Sequence, residues 1–261
     1  MKREGILPFS YSIQSMKKIY ICIPILTIFL IQCSSLEDRV AEAAYEGDLS
    51  YLKEKTDTTG HPNFQTEKGW TPLMTAAESG QIPTLEYLIS LNAYLDLRNS
   101  SGDTALMRAV ANNQSSAVDL LLKSGADKKL RNSKGYLPLH RAVENGNVEI
   151  AGKLIDLPSD LELPIYHLEK KCPIHILANS QKSMSFLKWM LEKKINLNTK
   201  DADGRTGLMV FIMNRKNDEA KLLIEQGASL REVSNYGETA FTLSQANGDK
   251  ELIQLIQSRL K

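Results

Sequence analysis

The chain lacks the features that mark several classes of protein. Its 261 residues include three cysteines, Cys22, Cys33 and Cys172, which are too few for a disulfide framework. Neither sign of charge dominates, because the net charge is +1 and the first 32 residues, with four basic side chains and one acidic, leave the remainder at −2. A near-neutral body lacks the basic face of a nucleic-acid binder, so we expect no nucleic-acid partner. The 15 glycines are spread along the chain and form no phosphate-binding loop.

Long apolar runs are equally scarce. The one extended run, residues 19–31, is shorter than the about 20 residues that a membrane-spanning helix needs. Because Lys17 and Lys18 precede it, the run fits the apolar core of a secretory signal. The sequence therefore predicts a signal peptide over residues 1–32, and Met16 is a better start than Met1.

The apolar run ends in Leu30-Ile31-Gln32-Cys33, which resembles a bacterial lipobox. The resemblance implies cleavage before Cys33 and lipidation of its thiol, with residues 33–35 as a short tether to a membrane. Gln32 departs from the small residue that usually precedes the cysteine. The prediction is an exported, membrane-anchored lipoprotein on the periplasmic or outer-membrane side. An uncleaved anchor and ordinary signal cleavage remain as alternatives.

Beyond residue 35 the sequence repeats itself at intervals of 33 to 35 residues. A four-residue motif recurs near the start of each interval, as in Thr71-Pro72-Leu73-Met74. Such a period is typical of a stacked solenoid of supersecondary units. The units begin at Leu36, Gly69, Gly102, Gly135, Lys170, Gly204 and Gly237.

The residue types within a unit predict two helices. A threonine hydroxyl can accept a hydrogen bond from an unpaired N–H at a helix start, and proline is tolerated at the first helical position. Small pairs such as Ala76-Ala77 allow neighbouring helices to approach closely. Gly80 and its equivalents favour a left-handed turn, and Gly125 favours a similar cap after the second helix. A polar finger then leads to the next unit.

In this register the array resembles the ankyrin-repeat family over residues 36–261. The resemblance implies an all-α repeat solenoid of about seven helix-turn-helix units joined by short β-turn or hairpin fingers. It also implies that the fingers and first helices line a concave side that binds a protein partner. A single unit cannot bury its apolar face alone, so stacking of neighbours is required.

Two units depart from the pattern. The fourth has Pro158 where a glycine cap is expected, and its finger, residues 160–169, is longer than the others. The fifth opens on Lys170 and gains one residue near residues 181–183. Drift in a fold that tolerates loop changes explains both departures, and so does an enlarged binding edge.

The sequence offers one pair of residues with catalytic or metal-binding chemistry. Cys172 and His175 are three residues apart, on one face of a predicted helix. A thiol enzyme or a zinc site is one interpretation, although a metal needs two further ligands and His167 is the only other candidate nearby. In the ankyrin family the histidine at this position, shared by His140, is structural. We therefore expect no enzyme, no cofactor and no metal, and we interpret Cys172 as a misfit helix cap.

Finger tips and exposed first-helix positions are the predicted binding residues. Trp70, Arg108, Tyr136 and Arg141 are the proposed anchors, because aromatic and arginine side chains dominate interface energies. Packing of Trp70 and Tyr136 across adjacent fingers is the alternative interpretation. No small-molecule substrate is expected, and the partner is a protein of the bacterial envelope or, alternatively, a host protein met by a surface-exposed or secreted factor. The remaining predicted contacts are Lys171, Arg205, Met213 and Tyr236.

Overall fold

A computed structural model describes residues 35–59, 61–165 and 170–261. These residues form seven successive pairs of antiparallel α-helices, one pair for each unit. The pairs are α1 (Leu36–Glu46) and α2 (Leu49–Thr59); α3 (Pro72–Ser79) and α4 (Ile82–Ser90); α5 (Ala105–Ala111) and α6 (Ser115–Lys123); α7 (Pro138–Glu144) and α8 (Val148–Leu154); α9 (Pro173–Leu177) and α10 (Ser183–Glu192); α11 (Gly207–Met213) and α12 (Asn217–Glu225); α13 (Ala240–Asn247) and α14 (Lys250–Leu260).

The predicted helix starts are confirmed at the level of single hydrogen bonds. The Thr71 hydroxyl accepts a hydrogen bond from the backbone N–H of Met74 at 3.2 Å, and Thr104 and Thr206 cap α5 and α11 in the same way. The first unit lacks the threonine motif and uses Ser35, whose hydroxyl accepts from the N–H of Asp38. Local chemistry therefore fixes where these four first helices begin.

The turns between paired helices adopt the left-handed backbone that the sequence predicts. Gly80 has a φ of 75° and Asn113 a φ of 57°. In the sixth unit Arg215 takes the equivalent place with a φ of 58°, although it is neither glycine nor asparagine. A side chain with a Cβ is strained in this region, so the backbone at Arg215 is strained.

Neighbouring units pack through both helix layers. Each first helix lies against the next along the whole array, and α4, α6 and α8 pack in order on the opposite side, as do α10, α12 and α14. The buried side chains form a continuous apolar core that runs from Val40 to Ile256. The all-α repeat solenoid is confirmed, with its core between units and not at a single centre.

The fingers are β-turns and not strand hairpins. In the third unit the N–H of Gly102 donates to the carbonyl of Asn99 at 2.8 Å, which closes the turn. Successive turns are linked by backbone hydrogen bonds, such as that from the N–H of Ser133 to the carbonyl of Ser101 at 3.0 Å. Within the described ranges the single β-bridge joins Lys200 and Thr206.

The fourth unit departs from its neighbours where the sequence predicts. Helix α8 ends at Leu154, and a 3-10 turn, Pro158–Glu162, replaces the glycine cap and packs against α9. Leu161 of this turn is buried, whereas Leu157 is exposed. The longer finger is thus anchored in the core, while Lys170 takes the left-handed place of a glycine with a φ of 44°.

Several predictions fall outside the described residues. They concern the signal segment, the lipidation site Cys33 and the neighbouring histidine His167. Among the helices that the structure does describe, none has the length and apolar character needed to span a membrane.

Candidate functional site

Finger tips and first helices line one surface, which we call the finger–helix surface. A cleft of 270 Å³ lies between the finger turns at Gly102 and Gly135 on this surface, and we call it the finger cleft. Its walls combine turn residues with two arginines from successive first helices. The lining residues are Ser101, Asp103, Arg108, Asn132, Ser133, Lys134 and Arg141.

Two of the predicted anchors contact each other at one side of the finger cleft. The guanidinium of Arg108 stacks on the ring of Trp70, with 4.7 Å between the guanidinium carbon and the ring centroid. An Nη atom of Arg108 also lies 2.5 Å from a carboxylate oxygen of Glu78. Trp70 and Glu78 belong to the preceding unit, so these contacts join two units and fix the arginine in one orientation.

A buried carboxylate extends this network into the next finger. Asp103 is 7% exposed and accepts a hydrogen bond from the side-chain amide of Asn132 at 2.8 Å. Its second oxygen lies 3.5 Å from Arg108. The sequence places Asp103 at a finger tip but does not reveal its burial, since that depends on the asparagine one unit further on.

The other two anchors, Tyr136 and Arg141, contact each other, and Arg141 lines the same cleft. Arg141 stacks on the ring of Tyr136 at 4.6 Å and forms an ion pair with Glu144 at 2.8 Å. Tyr136 also meets the ring of His140 edge-on, with 5.9 Å between centroids. The ring is therefore held between the fourth helix pair and the arginine. Arg108 and Arg141 line the same cleft. The sequence alone could not establish that they lie so close together.

A third stack occupies the carboxyl-terminal end of the array. Arg205 lies over Tyr236 at 5.1 Å and binds both carboxylate oxygens of Glu238, at 2.8 and 3.2 Å. The Tyr236 hydroxyl donates to Asp203 at 3.1 Å, and this hydrogen bond raises the pKa of the phenol. Tyr236 is 66% exposed, more than any other predicted binding residue.

The two remaining predicted contacts lie apart from these stacks. Met213 is 39% exposed at the end of α11. Lys171 is half-buried, and its carbonyl accepts a hydrogen bond from the N–H of Ile165 at 2.9 Å. The predicted residues thus form two groups, one around the finger cleft and one in the sixth and seventh units. Their role in binding stays a prediction.

His140 and His175, the two histidines of the four-residue motif, have structural roles, because each ring links two backbone segments. In His140, Nδ1 accepts from the N–H of Leu137 at 3.0 Å, which leaves Nε2 as the donor to the carbonyl of Leu163 at 2.8 Å. His175 makes the equivalent bonds to Cys172 and to Arg205. Burial lowers the pKa of His140 to about 4 and lowers that of His175 as well. Both ring nitrogens are committed to the backbone, so neither neutral imidazole is available as a base or a ligand.

Cys172 is placed as a helix cap and not as a nucleophile. It precedes α9 at the position where other units have threonine, and it is 5% exposed. Burial raises the pKa of its thiol, which is the reverse of what a reactive thiolate requires. Across residues 35–59, 61–165 and 170–261, no group of three metal-ligating side chains comes together.

The chain was compared with known families, curated proteins and solved structures. The family model for ankyrin repeats (3 copies) matches residues 40–132, 98–164 and 174–259. No curated protein gives a significant match. Among solved structures the chain is similar to the human ASB11 ankyrin repeat domain, with 23% identity and a TM-score of 0.70 over 84% of this chain and 96% of that one.

A second similar structure is the ankyrin repeat domain of Bcl-3, described as a unique member of the IkappaB protein family. Identity is 19% and the TM-score is 0.72 over 84% of this chain and 97% of that one. At such identities the likeness concerns the fold alone. The family match spans most of the chain and agrees with the seven stacked helix pairs. The chain therefore belongs to the ankyrin-repeat family.

Proposed function

We propose that this chain is a binding scaffold that holds a protein partner on its finger–helix surface. Ankyrin repeats generally mediate protein–protein interaction, and their fold is typically that of a non-enzymatic scaffold. One observation carries the proposal here: three arginine–aromatic stacks, Arg108 on Trp70, Arg141 on Tyr136 and Arg205 on Tyr236, all involve the finger tips.

These stacks suit binding because they are rigid before a partner arrives. Aromatic and arginine side chains contribute most of the energy at protein interfaces. Ordering a free side chain on binding costs about 0.5–1.5 kcal/mol, and stacked or ion-paired side chains avoid most of that cost. Arg205, held by Glu238 and Tyr236, is the clearest case.

The test is capture of partner proteins by the full chain and by single variants. Tyr236→Ala should reduce capture, because it removes an exposed ring from the surface without emptying the core. Tyr94 is the matched control, since it is also 66% exposed but follows helix α4, away from the finger tips. Equal capture by Tyr236→Ala and Tyr94→Ala would place the interface elsewhere.

We further propose that the scaffold works close to a bacterial membrane, anchored through Cys33. Two serines separate that cysteine from α1, and at about 3.5 Å per extended residue the first unit would start within about 10 Å of the lipid. The full-length protein should partition into detergent in a phase-separation assay, and Cys33→Ser should move it to the aqueous phase. Partition of both into water would refute the tether.

The side of the membrane follows from a separate measurement. A periplasmic scaffold should survive protease treatment of intact cells and be degraded once the outer membrane is opened. Degradation in intact cells would instead favour a surface-exposed factor that engages a host protein.

A further inference from the structure

We propose that the finger cleft binds carboxylate side chains from an acidic segment of the partner protein. This inference rests on the proposed scaffold function, because it assigns a chemistry to one part of the finger–helix surface. The cleft volume of 270 Å³ lies just below the about 300–1,000 Å³ of small-molecule sites, so it suits one or two side chains better than a metabolite.

The residues that line the cleft carry more positive than negative charge. Arg108, Lys134 and Arg141 provide three positive charges against the one carboxylate of Asp103. That carboxylate is already occupied, because it accepts from Asn132 and lies beside Arg108. Lys134 is exposed, and its ammonium forms no ion pair with any residue that the structure describes.

The donors are held in place before any ligand enters. Arg108 and Arg141 are stacked on Trp70 and Tyr136, and both side chains line the cleft. Each guanidinium carries five N–H donors, and among the described residues Arg141 uses only its Nη1 in a hydrogen bond, to Glu144. Donors remain for an incoming acceptor even while the intramolecular ion pairs persist.

A carboxylate fits this environment better than a phosphate. Glu78 and Glu144 already pair with the two arginines, and Asp103 lies in the wall. These three carboxylates offset much of the positive charge, so the attraction that remains, from Lys134 and from the free guanidinium N–H donors, suits a monoanion better than a dianion. A phosphate group carries a charge of about −1.5 to −2, whereas an aspartate or glutamate carries −1. The local balance of charge therefore selects side-chain carboxylates.

The experiment uses fluorescence anisotropy with the full chain and three labelled peptides. One peptide carries eight glutamates, a second carries eight glutamines, and a third carries four phosphoserines alternating with glycine, so that its charge is close to that of the first. We expect the glutamate peptide to bind, the glutamine peptide to fail, and the phosphoserine peptide to bind more weakly than the glutamate peptide.

Variants then locate the site. Lys134→Glu should weaken binding of the glutamate peptide at least about tenfold, because it replaces a free cation with an anion. Lys134→Gln should give a smaller loss in the same direction. Lys68→Glu is the matched control, since Lys68 is exposed at the equivalent position two fingers away and does not line the cleft. The affinity of the Lys68→Glu chain for the glutamate peptide should change less than twofold.

Each contrary outcome has a definite meaning. Equal losses of affinity for the glutamate peptide in Lys134→Glu and Lys68→Glu would refute the cleft as the site. Tighter binding of the phosphoserine peptide than of the glutamate peptide would refute the choice of carboxylate. If the Lys134→Glu chain captures partners as well as the unaltered chain, the cleft inference fails while the scaffold function stands. If the unaltered chain captures no partner, the scaffold function itself fails.

Discussion

Replacing the first glycine of a unit by alanine should measure how tightly successive fingers pack. Gly102 and Gly237 occupy equivalent places and have nearly the same φ, 76° and 75°. A Cβ on Gly102 would lie 2.6 Å from the backbone nitrogen of Ser133 in the next finger. A Cβ on Gly237 would meet nothing within 4 Å.

The two substitutions therefore share one cost and differ in another. Both force alanine into a left-handed backbone, which destabilises by about 1–2 kcal/mol. Only Gly102→Ala also pushes the next finger away and strains its hydrogen bond to Ser101, which adds about 1–3 kcal/mol, the range typical of overpacking. Gly69→Ala should fall between them, since its Cβ would lie 3.2 Å from the Cα of Asn99.

The assay is urea-induced unfolding followed by far-UV circular dichroism, with the slope of each transition checked so that all variants unfold in the same manner. The expected order of destabilisation is Gly102→Ala, then Gly69→Ala, then Gly237→Ala. If Gly102→Ala and Gly237→Ala agree within about 0.5 kcal/mol, finger contacts contribute little and the stacking argument is wrong.

Three further predictions test other contacts. The free energy of unfolding should fall by about 3 kcal/mol as the pH drops from about 6.5 to about 4 through His140 alone, because the unfolded imidazole takes up a proton that the buried one refuses. Below that pH the loss should level off; a pH titration of stability should show a shallower slope in His140→Asn than in the unaltered chain, and equal slopes in the two would contradict this account. Cys172→Thr should raise the free energy of unfolding by about 0.5–1 kcal/mol in urea, because a hydroxyl caps α9 better than a thiol, and any loss of stability would count against the cap. Arg215→Gly should stabilise by up to about 1 kcal/mol in the same assay, and Asn113→Gly by less; a destabilised Arg215→Gly would show that this backbone is not strained.

The repeat architecture was open to prediction because it is encoded locally. A threonine cap, a proline at the first helical position and a glycine or asparagine turn each specify a backbone state without help from distant residues. Thr71, Pro72 and Gly80 illustrate this, and all three behave as their chemistry predicts. Repetition at a fixed period then implies that equivalent faces pack on one another.

The details of the finger–helix surface were less accessible, because they depend on neighbours one unit away. The burial of Asp103 requires Asn132, and the orientation of Arg108 requires Trp70 and Glu78. These partners are separated by about thirty residues, and periodicity predicts their proximity but not which atoms meet. The left-handed Arg215 is a further example, since the other units have mostly glycine at the equivalent position and nothing in the sequence explains the arginine.

The bond from the N–H of Ser133 to the carbonyl of Ser101 uses main-chain atoms alone, as do its counterparts from Ser100 to Lys68 and from Asn235 to Asp203. These main-chain bonds between turns therefore do not depend on which exposed side chains the tips carry. Exposed tip residues can be exchanged one by one, and the ligand preference rewritten, while the framework beneath keeps its geometry. Specificity and architecture are, in this molecule, separately mutable properties.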